Sequence, residues 1–453
     1  MITMTENDLQ DAQLFFIDGK FNSSEMAQKI IYKIYDTQTG EGVNNGYLVM
    51  KDNKEIYYYN GGYYEHDGES QIRNKVQQIL QQLSKDNYKN EVISWIKDDM
   101  NLYVDREIFN NNNNFINLEN CIYNISTGEI TEHCESYFFN YQLPIKYDSD
   151  AKCEKFETFI EEILYTEDIP VMQEIFGYCF YQEYIFHKGF LFCGIGRNGK
   201  STVINVLSKL LGEKNISTVP LQNICKDRFS TTKLYGKFAN LCSDLSTDAL
   251  RNTGIFKMAT GGDYLFADQK FKDGFQFRNN AKMVFSCNII PDAKDESYAY
   301  KDRWICVEFP NKFEGGNCDK KLLEKLSTDS ELSGIFNWAM KGLKRLLERQ
   351  DFSKHRTLED VKQYLNEKQD PVYLFITTCL EPDPEIITTN QEFYLEYKKF
   401  CEDHNFPSVS DAWFGKKLNQ HLPTNWNVTD GQSRKHTRKG LKIKEKEGLQ
   451  KTL

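Results

Sequence analysis

The sequence predicts an α/β protein with a mainly parallel sheet at its core, a mixed α/β unit before it and a small helix-and-strand unit after it. Three observations predict this. An apolar run, Phe190 to Cys193, leads through a glycine-rich turn into a run with helical apolar spacing. Strand-like and helix-like stretches then alternate to about Pro310, as a parallel sheet with crossover helices requires. From residue 371 the pattern changes to helix, helix, strand, basic turn, strand.

A chain of 453 residues has room for two to four domains. Residues 1–150 form the first. There Glu55 to Glu69 reads as a hairpin turning at Gly61-Gly62, and Asn74 to Leu83 has helical spacing. Asn110 to Asn114 read as a loop. Tyr57, Tyr58, Tyr59, Tyr63 and Tyr64 have two readings, base stacking or cross-strand packing, and packing is the favoured one.

Residues 151–185 are helical, with Phe156, Phe159, Ile160 and Ile163 on one face and Pro170 in the first turn of the next helix. The sheet core spans 186–350 and closes with a helix from Glu331 to Arg349. A polar stretch at 351–370 reads as a linker. In residues 371–453, Thr389 to Glu392 fits a capping box whose helix continues through Phe393, Tyr397 and Phe400. A second helix starts at Ser408 or Ser410, and a basic two-stranded segment follows. Two helices and a basic wing make a winged helix the expected C-terminal domain.

The turn after Cys193 is Gly194-Ile-Gly-Arg-Asn-Gly-Lys-Ser201, which matches G-x-x-x-x-G-K-[ST]. Gly194, Gly196 and Gly199 let backbone N–H groups approach phosphates, and Asn198 and Thr202 complete the binding segment. Lys200 has the reach for β- and γ-phosphates, and the Ser201 hydroxyl suits Mg²⁺. ATP and Mg²⁺ are therefore the expected cofactors. A phosphate-loop enzyme needs an acid at a neighbouring strand end, and the strand Phe238 to Cys242 runs into Asp244. The apolar strand from Lys282 ends in Asn288, an amide that could position water. Arg303 stands at the entrance of the next strand, either in a local ion pair or projecting to a neighbouring subunit.

A formal charge of −10 argues against a chain that coats nucleic acid with its whole surface, and leaves room for a local basic patch. The sequence has no run of about eighteen apolar residues, so no membrane span is expected. The acidic start has no signal core, and the twelve cysteines are scattered, which fits reduced thiols in a cytoplasmic protein. No Cys/His group has zinc-ligand spacing. In the tail, Arg434, Lys435, Arg438 and Lys439 form a basic segment suited to duplex DNA.

Taken in order, GIGRNGKST, NLCSDLS, TGGD (Thr260 to Asp263), FSCNIIP and DRW resemble the superfamily 3 (AAA+) helicases of the poxvirus and phage primase–helicase type. The resemblance covers most of the chain. It implies a phosphate-loop AAA+ core that assembles as a ring, usually a hexamer, and moves along DNA, 3′ to 5′, in replication of a virus, plasmid or integrated element. Lys200 and Ser201 would serve phosphates and Mg²⁺, Asp244 the metal, Asn288 the sensor role and Arg303 the trans-acting finger. The segment Gly261 to Phe277 matches the family's DNA-binding hairpin, with Lys270 or Lys272 at the tip, so single-stranded DNA is expected in the ring channel.

Two features depart from the family. Ser243 stands where a second acid is common, so the residue that activates water is Asp244 alone or Asp244 helped by Asp248. No apolar strand with a D-x-D or D-x-E pair occurs in 1–150, so a primase is expected on a separate chain or a missing part of a longer one. Two rivals remain. A small-molecule kinase would have no use for TGGD and a lysine hairpin, and an ATP-switched replication initiator would bind DNA without processive unwinding.

Overall fold

The computed structural model describes residues 12–35, 42–110, 112–226, 229–246, 248, 250, 252–269, 272–291, 293, 295, 297–313, 319–353, 360–361, 363–365, 370–404, 406–426, 428–430 and 437–444. The chain divides into two compact units, Met1–Ser149 and Asp150–Leu453.

In the first unit, helix α1 (Ser23–Ile31) precedes strands β1 (Tyr47–Met50), β2 (Ile56–Tyr59) and β3 (Tyr64–Glu65). Helices α2 (Gly68–Leu80) and α3 (Asp86–Asp98) follow, then β4 (Tyr103–Val104). The sheet order is β3-β2-β1-β4, and β2 and β3 form the expected hairpin. Its core is apolar side chains at helical spacing, such as Ile72, Val76 and Leu80 of α2, packed on Tyr47, Val49 and Ile56 of the sheet. The tyrosine cluster is used for packing. Tyr58 and Tyr63 each donate to Glu65 at 2.6 Å, and buried Tyr64 stacks on Phe138 with centroids 5.9 Å apart. A small antiparallel sheet, β5 (Phe115–Asn117), β6 (Ile122–Asn124) and β7 (Ile130–Thr131), completes the unit.

The second unit opens with α4 (Glu154–Ile163) and α5 (Ile169–Phe180), separated by a 3₁₀ turn. Next come β8 (Gly189–Cys193), α6 (Lys200–Leu211), β9 (Ile216–Ser217), β10 (Ala239–Cys242) and α7 (Gly254–Gly261). Strands β11 (Tyr264–Gln269) and β12 (Lys272–Arg278) form an antiparallel hairpin, and β13 (Lys282–Cys287) and β14 (Trp304–Glu308) follow. The central sheet has the order β9-β10-β13-β8-β14, with every pair parallel. Strands β8, β10 and β13 are buried along their whole length, which explains their near-continuous apolar sequence.

Helix α8 (Asp329–Arg349) packs along α5. The two are joined by a fully buried carboxylate, Glu174, which accepts from Arg345 Nε at 2.7 Å and from the Ser353 backbone N–H at 2.6 Å. A buried carboxylate persists when its oxygens are filled in this way.

The stretch read as a linker differs from that expectation. Phe352 is 1% exposed and its ring lies 5.5 Å from that of Phe190. Val361, Tyr364 and Leu365 are buried in the sheet core with Phe285 and Trp304. The described parts of 351–370 are therefore docked on the core of the second unit, because four apolar side chains in a polar stretch suffice to hold them.

The C-terminal part has one helix and one strand more than the sequence suggested. It contains α9 (Pro371–Cys379), β15 (Leu380–Thr389), α10 (Asn390–Asp403), α11 (Asp411–His421), β16 (Thr429–Asp430) and β17 (Thr437–Ile443), with sheet order β15-β17-β16. Helix α10 has the full capping box between Thr389 and Glu392. Ser410 is the residue before α11, without a side-chain capping bond. Asp370 caps α9 and pairs with Lys417 at 2.7 Å and His421 at 3.0 Å, tying α9 to α11. Burial pushes the Asp370 carboxyl up, but the Lys417 bond and the capping bond outweigh it and leave it below the usual value. Among the described residues no helix is long and apolar enough to cross a membrane.

Candidate functional site

The phosphate-binding segment links β8 to α6. Gly199, the residue before α6, has φ +89°, a conformation that costs a side-chain-bearing residue energy. A Cβ there would also lie 2.9 Å from Ile163, so α4 packs directly on the loop. At Gly194 a Cβ would meet the Asn198 side chain at 2.0 Å, so only glycine permits this close approach. The loop is further fixed from β14's side, where the Phe309 carbonyl accepts from Asn198 Nδ2 at 3.4 Å and the Phe313 N–H donates to Arg197 O at 2.8 Å.

Because β13 lies between β10 and β8, the ends of three neighbouring strands bring Asp244, Asn288 and the loop together. A cleft of about 910 Å³ is lined there by Gly196, Arg197, Asn198, Gly199, Lys200, Ser201 and Thr202 of the loop, with Ser243, Asp244, Ser286 and Asn288. Lys200 is 5% exposed. Its Nζ donates to Gly194 O at 2.5 Å, Asn198 Oδ1 at 2.9 Å and Asn288 Oδ1 at 3.3 Å. Burial holds its ammonium at about 8, below the ordinary lysine value. A cation held by a phosphate loop and a strand-tip amide is suited to a polyphosphate, whose charge would supply the missing partner.

The two thiols under the loop, Cys193 and Cys287, face each other in register with Sγ atoms 3.9 Å apart. Their mutual hydrogen bond and burial push Cys287 far up, so it stays neutral. Asp244 is exposed at the cleft, and Asp248 lies outside its lining. A loop hydroxyl and a strand-end carboxylate lining one cleft are donors of the hard oxygen type that Mg²⁺ takes, so Ser201 and Asp244 fit that ion.

The rest of the cleft's lining mixes apolar and charged groups and escaped the sequence reading. It consists of Phe159 of α4, Phe313, Leu322 and Leu323 with Glu162, Asp319 and Lys320. Phe159 has helical core spacing, and the others follow no motif, so only the fold brings them to the cleft. Ser286 also escaped notice, its one signal being a hydroxyl near the end of a strand that is apolar after Lys282.

Arg303 is not part of this cleft. Its backbone O accepts from the Gly189 N–H at 2.6 Å, and Gly189 pairs with Trp304 at the start of the parallel strands. It therefore stands at the sheet edge opposite the loop. Its guanidinium donates to Thr260 Oγ1 at 3.0 Å and to Ala299 O at 2.6 Å.

Of the DNA candidates, Lys270 lies outside the described residues and Lys272 opens β12. Arg434 and Lys435 also lie outside them, whereas Lys439 of β17 is exposed. Arg438 is only 6% exposed and donates to Asn390 Oδ1 at 3.0 Å, so its guanidinium is turned inward against α10.

Three family models match in order along the chain. The D5 N terminal like model matches residues 18–165, the family of unknown function DUF5906 residues 192–303, and the Poxvirus D5 protein-like model residues 367–448. A helicase-named protein of Acanthamoeba polyphaga mimivirus is 22% identical over 254 residues, 52% of this chain and 26% of that protein. A helicase-named protein of Invertebrate iridescent virus 6 is 23% identical over 233 residues, 47% of this chain and 24% of that one. The chain thus spans about a quarter of the length of these relatives. A solved structure of the NrS-1 C-terminal region overlaps 88% of this chain and 97% of its own, at 12% identity and a TM-score of 0.44. With D5-type matches on both sides of the phosphate-loop segment, the chain is similar to the superfamily 3 helicases of the poxvirus and phage primase–helicase type.

Proposed function

We propose that the chain is an ATP-dependent DNA helicase of replication that works as a hexameric ring. The observation that carries the reading is the Lys200 ammonium 3.3 Å from Asn288 Oδ1, in a cleft shared with Ser201 and Asp244. In this reading residues 186–350 are a phosphate-loop AAA+ core, 151–185 its helical collar and 1–150 an N-terminal α/β domain. Residues 371–453 are a winged helix, a reading supported by the order helix, strand, helix, helix, strand, strand.

Lys200 offsets charge on the β- and γ-phosphates, and backbone N–H groups of residues 194–202 hold them. Ser201 and Asp244 would hold Mg²⁺, which supplies further charge neutralisation there. Asn288 orients a water whose oxygen attacks the γ-phosphorus. The bond from that phosphorus to the bridging oxygen breaks, ADP leaves with the electron pair, and the water's proton passes to phosphate or to Asp244. Phe159, Phe313, Leu322 and Leu323 form the base end of the cleft. Arg303 serves the cleft of the next subunit, which is supported by its place at the far sheet edge. Lys270 and Lys272 grip single-stranded DNA in the channel, and Lys439, with Arg434 and Lys435, meets duplex DNA. A separate primase would supply primers.

Steady-state ATPase rates with and without single-stranded DNA test this. The reading predicts Mg²⁺-dependent hydrolysis accelerated by DNA. A rate indifferent to DNA would favour a kinase or an assembly switch.

A further inference from the structure

The β11–β12 hairpin has two faces of different chemistry. On the inner face Leu265, Ala267 and Phe277 are buried in the sheet core, and Phe275 packs beside them. Tyr235 meets Phe275 and Phe277 edge-on at 4.9 and 5.3 Å. The outer face of such a hairpin is ordinarily polar. Here it presents Tyr264 at 56% exposed and Phe266 at 51%.

The register puts Tyr264 opposite Arg278 and Phe266 opposite Gln276. The Arg278 guanidinium carbon is 5.0 Å from the Tyr264 ring centroid. The Phe266 ring lies across Gly274, where an added Cβ would be 2.3 Å from its Cζ. The backbone at Phe266 and just beyond it is fixed, since Thr231 Oγ1 donates to Phe266 O at 2.8 Å and Thr232 Oγ1 to Asp268 O at 3.0 Å.

We infer that this outer face is a base-stacking platform for single-stranded DNA, with Tyr264 and Phe266 each taking a base and Arg278 facing the backbone. The inference rests on the DNA-helicase reading and adds to it, because the tip lysines answer to phosphates and this face answers to bases. Residues two apart on a strand stand about 6.8 Å apart. That is roughly twice the 3.4 Å rise per nucleotide of one strand in a duplex. The two rings therefore match an unstacked strand better than a stacked duplex. Stacking on aromatic rings is sequence-tolerant, as a translocating contact must be. An arginine beside an aromatic ring also suits a base and its phosphate better than an apolar protein surface.

The test is binding of a fluorescent single-stranded oligonucleotide across a salt series. Wild type, Tyr264→Ala, Phe266→Ala and the conservative Tyr264→Phe are compared, with particle mass measured for each. Each alanine variant should bind about tenfold more weakly, with an unchanged slope against salt, since no phosphate contact is lost. Tyr264→Phe should bind like wild type. Wild type should bind an abasic strand of equal charge more weakly than the normal strand, and the alanine variants should lose most of that difference. Alanine variants that bind the normal strand as tightly as wild type would overturn the inference. So would a loss of affinity accompanied by smaller particles, which would mean that the face joins copies of the chain. If the lysine tip contacts DNA, Lys270→Ala with Lys272→Ala flattens the salt slope whatever the aromatic variants do, so the two readings fail separately. Wild type that binds no single-stranded DNA would sink both.

Discussion

At one edge of the central sheet, Lys200, Asp244 and Asn288 converge on a single cleft; at the other, Arg303 donates to Thr260 and Ala299 of its own chain. The first edge is where parallel strands end and loops begin, so three neighbouring strands each deliver one polar group to the same space. The second edge is where the strands start, and its cations are otherwise occupied. Lys282 shows this, being fully buried with Nζ donating to Asn280 O at 2.9 Å and lying 4.6 Å from the Tyr178 centroid. Burial pushes its ammonium down to about 7. Both edges belong to one chain, and the cleft that holds Lys200, Asp244 and Asn288 does not include Arg303. An arginine that serves a phosphate from the other edge must serve that of a second copy.

Removing a group from the assembled edge should have the largest effect. Lys200→Ala should bring ATP hydrolysis below detection in a steady-state assay while the circular dichroism spectrum stays that of wild type, because the side chain bonds the loop and is not part of an apolar core. Hydrolysis near the wild-type rate would remove the phosphate-loop assignment.

Arg303→Ala should come next, with hydrolysis slower by about 10³-fold and nucleotide affinity retained. A lost nucleotide affinity, or a large fall in melting temperature with no separate rate effect, would assign the arginine to its bonds with Thr260 and Ala299 instead.

The hairpin should come third. Lys270→Ala combined with Lys272→Ala should remove the DNA-stimulated part of the rate and unwinding of forked DNA together. Normal unwinding by the double variant would move the DNA grip elsewhere.

A smaller effect concerns pH. In the free chain the Lys200 pKa is about 8, lowered from an ordinary 10.5. The unfolded chain therefore binds more protons between those values, and this group's contribution makes stability rise with pH across that window. Phosphates favour the charged form, so nucleotide binding at pH 8 should take up about half a proton, and affinity should fall as pH rises above 8. Calorimetry in buffers of different ionisation enthalpy reads this directly, and binding with no proton uptake would contradict it.

The smallest effect lies in the tail, where exposed and buried cations can be separated. Lys439→Ala should flatten the salt dependence of duplex binding by about one unit of slope. Arg438→Ala should instead lower thermal stability, since its guanidinium is bonded to Asn390. Equal salt slopes for Lys439→Ala and wild type would leave that lysine solvated and without a DNA role.

What the sequence revealed follows the same division. The loop, the strand ends at Asp244 and Asn288, and the Thr389 capping box are local patterns, each readable in fewer than a dozen neighbouring residues. The apolar part of the cleft's lining was not legible, because Phe159 and Phe313 are far apart in sequence and only the fold brings both to the cleft. Strand β15 was missed because Pro382 and Pro384 argue against a strand; β15 accommodates them at a sheet edge, with a register shift between Asp383 and Ile387. The docking of Val361, Tyr364 and Leu365 was missed because so few apolar residues in a polar stretch give no periodicity. On the hairpin, Phe275 and Phe277 alternate on the packed face. Tyr264 and Phe266 alternate on the other face, and alternation alone cannot tell which side is covered.

The difference between the two edges is tested most directly by mixing subunits. Lys200→Ala chains and Arg303→Ala chains, each nearly inactive alone, are combined, and ATPase is measured on mixed particles whose composition is verified by mass. Some interfaces then pair an intact Lys200 from one chain with an intact Arg303 from its neighbour, so partial recovery of hydrolysis is predicted. Mixed particles that form and stay as inactive as their parents would show that Arg303 acts within its own chain.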